Sequence, residues 1–495
     1  MSDYHTSSRR YIFAKHGRPD RFRHWEQRQQ RRQGRQLVYQ PVPGQEPDFA
    51  RIIDPENLLL AYNRLRAEGG EAPGIDGLSY SDFSRAEIAA VLRVVAQQLQ
   101  QRHYRPRPTR QVRIPKGSGG FRKLRLMIVI DRIIAKAVPM AIMPTLDPVF
   151  LPGVFGFRPE RSIQGMLLAI EKAATERDCW VIAQDDIRAA FDNVPIADVM
   201  ADFRQHLGDR DLLWLIEALL RGAKGQERTV GIDQGNAVSP VALLLRLHYA
   251  LSLPQLVDTI DSTTNAADQD NPSRQFQYAD NLVYLCRSVT EGNQALQRAR
   301  ALLQPAGLSL KGEDGPPVNL KRQGTRVGIL GFRVSYRDGR LRYGLGGKAW
   351  KSLEQRLAEA HGAADPGRAA VAAVRGWLEA HGPAFEDAEE CEALERVRRT
   401  AARMGFRELD TEEGLMGWLR EARQRWLAAR SSALEGNRST AAQNGEPSRG
   451  GRPAGAGSSG VAPTGSALQA APVGSAPGNS CGQCLQVAPT GGSSL

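Results

Sequence analysis

The sequence predicts an α+β fold, and three observations support that prediction. In several segments apolar residues recur every three to four positions, which is the spacing of an amphipathic helix. Between these segments lie short runs of β-branched and aromatic residues bounded by glycine or polar turn residues, as in antiparallel strands. From residue 346 to residue 430, Ala, Glu, Arg and Leu follow a helical period, so we expect a separate helical domain after the mixed one.

Composition divides the 495 residues into four parts. Residues 1–48 are rich in Arg and Gln and predict a basic, partly disordered arm, which is also compatible with a phosphate-binding extension. Residues 49–345 form the mixed part and residues 346–430 the helical part. Residues 431–495 consist mainly of Gly, Ser, Ala and Pro, which cannot offset their ordering entropy, so a disordered tail is expected.

The charge balance favours a polyanionic partner. The formal net charge is +12 at pH 7, although ribosomal and membrane-surface proteins share such an excess. No apolar stretch is long enough to cross a bilayer, and the N-terminus lacks the apolar core of a signal peptide. With only five cysteines as well, we expect a cytoplasmic protein without a membrane partner.

The first predicted elements are amphipathic helices and a basic hairpin. Residues 54–68 and 88–99 carry apolar side chains at helical spacing. Residues 111–126 place basic side chains on both sides of a glycine-rich turn, which favours a hairpin. A further helix is predicted over residues 131–143, ending before Pro144 because proline disrupts a helix interior.

The first acidic segment lies at the end of the apolar run Cys179–Ile187. The run ends in Asp185 and Asp186 and predicts a strand that delivers carboxylates to the edge of a sheet. Pro195 then opens a helix, where proline is tolerated at the first turn. Taken alone, the segment also fits a strand–helix junction whose acids cap the helix.

A second acidic segment, Tyr278–Asn281, lies between strand formers and predicts a β-hairpin with Asp280 at its tip. Asp-Asn is also ordinary turn chemistry. Two apolar runs that each present an Asp, here Asp186 and Asp280, can supply oxygen ligands for hard divalent cations such as Mg²⁺. Only the tertiary fold can bring these two side chains together.

A loop of small and polar residues, Gly231–Pro240, precedes an apolar helix predicted over Val241–Leu251. Gly235 would let the backbone approach a bound substrate closely. Gln234 offers both a donor and an acceptor. As an isolated feature, the loop is equally consistent with a helix cap.

Taken in order, these segments resemble a reverse transcriptase of the group II intron (maturase) type, from about residue 74 to about residue 385. The segments that carry the resemblance are Gly74–Gly77, Ile114–Lys116 with Arg122, Asp131–Arg132, Phe155–Ser162, Asp186–Asn193, Gln234–Pro240, Tyr278–Asn281, Ile329–Phe332 and Arg375–Trp377. The resemblance implies a right-hand polymerase, with fingers and an antiparallel-sheet palm in residues 49–345 and an α-helical thumb in residues 346–430.

The resemblance also implies an activity and its partners. The activity is RNA-directed DNA polymerisation, in which dNTPs are added to a primer 3′-OH with two Mg²⁺ ions, or with Mn²⁺ as an alternative. The partners are an RNA template, a DNA or RNA primer, the dNTPs and, in the maturase role, a structured intron RNA.

The metal site that the resemblance implies consists of the Asp186 and Asp280 carboxylates and the backbone carbonyl of Ile187. Asn281 completes the catalytic set, in the position where the family usually has a second Asp. Phe191 would act as a gate that excludes the 2′-OH of a ribonucleotide.

The nucleotide site that the resemblance implies has two parts. Lys116 and Arg122 would contact the triphosphate of the incoming nucleotide. Gln234 and Gly235 would line the nucleotide pocket.

The sequence departs from the family pattern at three places, and the position of one expected lysine is left open. Asn281 is neutral, and a neutral ligand holds Mg²⁺ less strongly than a carboxylate. Asp233 replaces the usual Pro before Gln234, and Lys123–Ile128 replaces a stretch that contains Pro and Gly. The lysine expected after Gly307-Leu308 corresponds to Lys311 or to Lys321.

Because of these departures, we keep a second hypothesis, a catalytically weakened or inactive RNA-binding and intron-splicing protein on the same scaffold. A third, a polymerase that prefers ribonucleotides or DNA templates, is also left open, although Phe191 argues against ribonucleotides.

Overall fold

The computed structural model describes residues 47–68, 70–115, 121–256, 274–363, 365–386, 390–407, 409 and 412–435. The predicted basic arm up to residue 46 and the predicted tail from residue 436 lie outside the described residues. Among the described helices, none combines the length and apolar character needed to cross a membrane.

The N-terminal part begins with helices that flank a two-stranded hairpin. The elements are α1 Phe49–Ile52, α2 Pro55–Glu68, α3 Arg85–Gln100, β1 Arg110–Pro115, β2 Phe121–Leu126 and α4 Val129–Leu146. Helix α3 starts at a capping box in which the Ser84 hydroxyl accepts the Glu87 amide and the Glu87 carboxylate accepts the Ser84 amide, which satisfies two otherwise unpaired donors.

Helix α4 contradicts the prediction that it ends before Pro144. It continues to Leu146 with Pro139 and Pro144 inside it. Ile133, Ala141 and Leu146 are fully buried. Packing of this apolar face therefore outweighs the local cost of proline in the helix, as tertiary context often does.

The middle part is built around a four-stranded sheet in the order β4-β5-β3-β6, with every neighbouring pair antiparallel. Its elements are α5 Ile163–Arg177, β3 Val181–Asp186, α6 Ala190–Asn193, α7 Ile196–Arg204, α8 Arg210–Arg221, α9 Val238–Leu247, a π-helical turn at His248–Ser252, β4 Gln275–Tyr278, β5 Asn281–Cys286, α10 Val289–Leu303 and β6 Val318–Asn319. We call this sheet the central sheet.

Alternate residues of β3 and β5 enter different cores, as the two-residue period of a strand requires. Ala183 and Tyr284 belong to the larger apolar cluster, which also contains residues of α10. Ile182 and Val283 belong to a second cluster, which contains residues of α5. The central sheet is therefore buried on both faces, and only its ends are available for polar chemistry.

The C-terminal part has a three-stranded meander and four helices. The elements are β7 Val327–Ile329, β8 Phe332–Arg337, β9 Arg340–Leu345, α11 Gly347–Ala360, α12 Pro366–Ala380, α13 Glu390–Arg403 and α14 Glu412–Glu435. The helices share a core of their own that includes the fully buried Trp377. Mixed helices and antiparallel sheets confirm the predicted α+β class.

Helix α14 extends five residues beyond the predicted start of the tail and is anchored to distant elements. The Arg430 guanidinium pairs with Glu171 of α5 and with Glu386 and also donates to the Leu341 carbonyl at 2.9 Å. Arg430 is only 3% exposed. A buried arginine needs such partners, so this network stabilises the end of α14 against the rest of the protein.

Candidate active site

The two predicted metal ligands lie at the same end of the central sheet. Asp186 ends β3 and is paired in register with Asn281, the first residue of β5. Asp280 occupies the turn between β4 and β5, and its carbonyl accepts a 2.8 Å hydrogen bond from the Ile187 amide. The antiparallel register thus brings Asp186, Ile187 and Asp280 to neighbouring positions although 94 residues separate the two acids in the sequence.

The turn that carries Asp280 is held in an unusual backbone conformation. Ala279 has φ of 56°, a left-handed conformation that costs an L-residue about 1–2 kcal/mol. The buried Gln277 side chain donates to the Ala279 carbonyl at 3.0 Å. A Cβ on Gly156 would lie 2.2 Å from the Ala279 amide nitrogen, so Gly156 permits a close backbone contact that supports the turn.

A lysine lies directly on the predicted metal ligand. The Lys311 ammonium donates to Oδ2 of Asp186 at 2.6 Å, and the Lys311 amide donates to the Asp186 carbonyl at 2.8 Å. Burial would lower the pKa of Lys311, but its hydrogen bond to Asp186 and the charges of Asp186 and Asp280 raise that pKa above its usual value. The ammonium therefore partly neutralises both acids.

The structure distinguishes between the two lysines that the sequence left open. Lys321 pairs with Asp178 at 2.7 Å, and Asp178 lies just before β3, at the opposite end of that strand from Asp186. Lys311, and not Lys321, is therefore the lysine of the acidic site.

Asp185, the other acid at the end of β3, has a structural role. It is 2% exposed, and both its oxygens accept the Gly312 amide at 3.0 Å. These bonds hold the loop that carries Lys311 against β3. The sequence had predicted that both acids are presented at the sheet edge, but only Asp186 borders the cavity described next.

A cavity of about 500 Å³ opens beside Asp186, and Asp280 is not among the residues that line it. Its wall includes Asp186, Asn281, Asp314 and Lys348, together with the turn between β7 and β8. Burial raises the pKa of Asp314, and the negative charges of Asp186 and Asp185 raise it further. The Asn281 amide lies 3.4 Å from the Tyr278 carbonyl and 3.5 Å from an Asp280 carboxylate oxygen, and carries no charge.

The donor chemistry of the site fits a hard divalent cation. In the part of the chain that the structure describes, no three His, Cys, Asp or Glu residues form a ready-made metal group. Mg²⁺, however, is usually held by one or two carboxylates and completed by substrate phosphates and water. The Lys311 ammonium already supplies one positive charge to Asp186.

Phe191 and the loop of Gln234 and Gly235 adjoin one another. Phe191 is half-buried, its ring lies edge-on to Phe157 with centroids 6.1 Å apart, and its carbonyl accepts the Ile232 amide at 2.8 Å. The Gln234 carbonyl in turn accepts the Arg125 amide of β2 at 3.0 Å. The β1–β2 hairpin, the segment of Phe191 and the loop of Gln234 are therefore hydrogen-bonded in series.

Gly235 shows why that loop requires glycine. Its φ is 110°, and a Cβ there would lie 2.7 Å from the Arg125 carbonyl oxygen. Both the positive φ and the close approach exclude a side chain. The close backbone neighbour of Gly235 in this structure is strand β2, and the predicted approach to a bound substrate stays a prediction.

The predicted triphosphate contacts are only partly described. Lys116 lies outside the described residues. Arg122 is paired with Ile114 in the β1–β2 ladder, but its side chain is likewise outside the description. Their predicted contact with a triphosphate stays a prediction.

Asp233 has contacts that sequence reasoning missed. The sequence singled it out only as a departure from a family pattern. In the structure its carboxylate binds Arg125 at 3.2 Å and Arg228 at 2.6 Å. The available signal for a buried ion pair was the acidic side chain of Asp233 in a loop of mainly apolar and small residues. No local feature of the sequence identified its partner Arg125, which lies 108 residues earlier.

Comparisons with known proteins concern this same region. Residues 114–313 match the family described as "Reverse transcriptase (RNA-dependent DNA polymerase)". Protein YkfC of Escherichia coli (strain K12) is 31% identical over 200 residues, which cover 38% of this chain and 52% of YkfC. The group II intron-encoded protein LtrA of Lactococcus lactis subsp. cremoris is 26% identical over 207 residues, which cover 40% of this chain and 34% of LtrA.

A third relative is an uncharacterized 91 kDa protein in the cob intron of Schizosaccharomyces pombe (strain 972 / ATCC 24843), 26% identical over 226 residues. That match covers 45% of this chain and 27% of the relative. The chain thus spans about half the length of YkfC and about a third or less of the two intron proteins. The family match contains Asp186, Gln234, Asp280 and Lys311, so similarity and site geometry refer to one region.

Proposed function

We propose that this chain is a divergent reverse transcriptase of the group II intron type and that it extends a primer 3′-OH with dNTPs along an RNA template. One observation carries the proposal. In the β3–β5 register Asp186 pairs with Asn281, the neighbour of Asp280, and the Ile187 amide donates to the Asp280 carbonyl at 2.8 Å, which supports a shared site for the two acids. Two acidic residues that meet at one end of a sheet, one of them bordering a cavity, are compatible with metal-assisted phosphoryl transfer.

The proposed roles follow from the positions of the side chains. Asp186, Asp280 and the Ile187 carbonyl would hold Mg²⁺ or Mn²⁺, with Asn281 as a neutral neighbour. Bound divalent cations supply the positive charge that offsets the attacking and leaving oxygens. The chain itself would contribute mainly positioning, as in other phosphoryl transfers.

The nucleotide would lie between the β1–β2 hairpin and the acids. Gln234 and Gly235 would border it, and the Phe191 ring would exclude a 2′-OH. Lys116 and Arg122 would contact the triphosphate. A metal ion held through Oδ2 of Asp186 would displace the Lys311 ammonium, and the phosphates of the substrate would then be alternative acceptors for it.

We assign the described elements to a right hand on the same premise. Residues 49–345 would form fingers and palm, with the central sheet as the palm, and the helices from residue 346 onward would form the thumb. The partners would be an RNA template, a DNA or RNA primer and, in a maturase role, a structured intron RNA. A cytoplasmic location is part of this proposal.

A primer-extension assay tests the proposed function. Full-length protein, an RNA template, an annealed primer, dNTPs and either Mg²⁺ or Mn²⁺ should give a product. Asp186→Asn and Asp280→Asn should each reduce its rate by at least about a hundredfold, since each removes a charged ligand. Asp178→Asn, remote from the cavity, is the matched control and should leave the rate within about twofold. Product formation that persists in the Asp280 variant contradicts the proposal.

Asn281 favours one second candidate, an RNA-binding and splicing protein that does not polymerise. A neutral residue opposite Asp186 and a lysine on Asp186 both weaken the case for metal binding. RNA binding that survives Asp186→Ala, together with absent primer extension by the parent protein, would support this candidate. Primer extension by the parent would exclude it.

A further inference from the structure

We infer that Asp233 is a positioning residue that fastens the β1–β2 hairpin to the loop of Gln234 and Gly235, and thereby sets the affinity for the incoming nucleotide. This inference deepens the proposed polymerase function and rests on it. We call the three side chains Asp233, Arg125 and Arg228 the Asp233 clamp.

The Asp233 clamp joins two elements that are distant in the sequence. Oδ1 of Asp233 lies 3.2 Å from Nε of Arg125, on β2, and 2.6 Å from Nη2 of Arg228, in its own loop. The Asp233 side chain is 9% exposed, Arg228 13% and Arg125 42%. Arg228 therefore compensates the buried charge locally, while Arg125 supplies the connection to the hairpin.

A backbone contact accompanies the ion pair. The Arg125 amide donates to the Gln234 carbonyl at 3.0 Å. One residue further on, a Cβ on Gly235 would meet the Arg125 carbonyl at 2.7 Å. The ion pair and the backbone contacts thus fix β2 against the loop at three consecutive positions, 233 to 235.

Two departures from the family pattern meet in this contact. Asp233 stands where the pattern has Pro, and Arg125 belongs to Lys123–Ile128, which replaces a stretch with Pro and Gly. Loss of the Asp233 carboxylate would leave the Arg228 guanidinium, only 13% exposed, without this acidic partner, which is costly.

The position of the Asp233 clamp gives it a consequence for substrate binding. The hairpin carries the residues predicted to contact the triphosphate, and the loop carries those predicted to border the nucleotide. Holding the two together before the substrate arrives reduces the ordering cost of binding. Loss of the clamp should therefore weaken nucleotide binding more than it slows the chemical step.

Steady-state kinetics of the full-length protein tests the inference. Asp233→Asn should raise the KM for dNTP about tenfold and change kcat by no more than about twofold. Asp202→Asn is the matched control. Asp202 pairs with Arg246 at 2.9 Å, and its side chain is 5% exposed against 9% for Asp233. Its pair joins α7 to α9, so the KM should stay within about twofold.

A double-mutant cycle separates positioning from direct phosphate contact by Arg125. If Arg125 acts through Asp233, Arg125→Gln and the double variant should show about the same KM as Asp233→Asn. Effects that multiply in the double variant would show that the two residues act independently and would overturn the inference. Asp233→Glu should recover part of the loss.

Hydrogen exchange in the absence of substrate gives a readout independent of polymerisation. Asp233→Asn should speed exchange of the Arg125 amide at least about tenfold, and Asp202→Asn should leave it unchanged. Unchanged exchange in the Asp233 variant overturns the inference whatever the activity. A parent protein that fails to polymerise but shows the exchange effect would contradict the proposed function and retain the clamp.

Discussion

The Lys311 ammonium lies 2.6 Å from Oδ2 of Asp186, the carboxylate predicted to hold a metal ion. A cation bound to Asp186 would compete with this ammonium for the negative charge of the carboxylate. Replacing Lys311 by Gln should therefore tighten Mn²⁺ binding several-fold, as measured by electron paramagnetic resonance of free Mn²⁺. Lys321→Gln, which removes the pair with Asp178 at the opposite end of β3, should leave the affinity unchanged. Equal affinities in all three proteins would mean that Asp186 does not bind the ion.

Gly156 should be intolerant of even a methyl group. Gly156→Ala would place a Cβ 2.2 Å from the Ala279 amide nitrogen and would displace the turn that carries Asp280. We expect a loss of about 2 kcal/mol in the free energy of unfolding, typical of an overpacked site, and a large loss of primer extension. Gly328→Ala, which meets nothing within 4 Å, is the control for chemical denaturation. Similar stabilities of the two variants would contradict this view of the turn.

The individual elements of the site could be predicted, because the sequence signals for a strand or a hairpin lie within a few adjacent residues. The hairpin at Tyr278–Asn281 and the strand that ends at Asp186 follow from apolar runs bounded by turn residues. The class of fold follows from the same patterns. Their convergence was inferred from a family resemblance, since no local signal encodes the β3–β5 register.

What could not be predicted depends on partners far away in the chain. Pro144 lies inside α4 because the packing of that helix outweighs a local rule. Helix α14 continues through residues 431–435, and the adjacent Arg430 anchors it by pairing with Glu171, 259 residues earlier in the sequence. Asp233 appeared only as an anomaly, since its partner Arg125 comes from another element.

Sugar selection should depend on Phe191. Removing the ring with Phe191→Ala should raise the ratio of kcat/KM for rNTP to that for dNTP at least about tenfold, because the steric barrier to the 2′-OH is lost. Phe157→Ala is an informative control, because its ring lies against Phe191 and its loss should loosen the gate less. The same nucleotide preference in the Phe191 variant and in the parent would contradict the gate role.

The stability of the protein should decline as pH rises from about 4 to about 6, partly because of Asp131. Burial raises the pKa of Asp131 to about 6, although the Arg107 amide and the Tyr104 hydroxyl donate hydrogen bonds to it. The folded state therefore holds this proton more tightly than the unfolded state, so deprotonation costs stability in this interval and nothing further above it.

Asp131→Asn should remove up to about 3 kcal/mol of that decline, the free energy that corresponds to the raised pKa, in urea titrations at successive pH values. Burial also raises the pKa of Asp202 to about 6, so Asp202→Asn should remove a separate part. A slope unchanged by Asp131→Asn would mean that this carboxyl is not buried as described.

Iron-directed cleavage tests the convergence of Asp186 and Asp280 most directly. When Fe²⁺ replaces Mg²⁺ in the presence of ascorbate and peroxide, it cuts the backbone next to the site that it occupies. We expect cuts near residue 186 and near residue 280 in the same protein, both lost in Asp280→Asn and both kept in Asp178→Asn. Cleavage confined to one segment, or cleavage near residue 186 that survives the loss of the Asp280 carboxylate, would contradict a shared site.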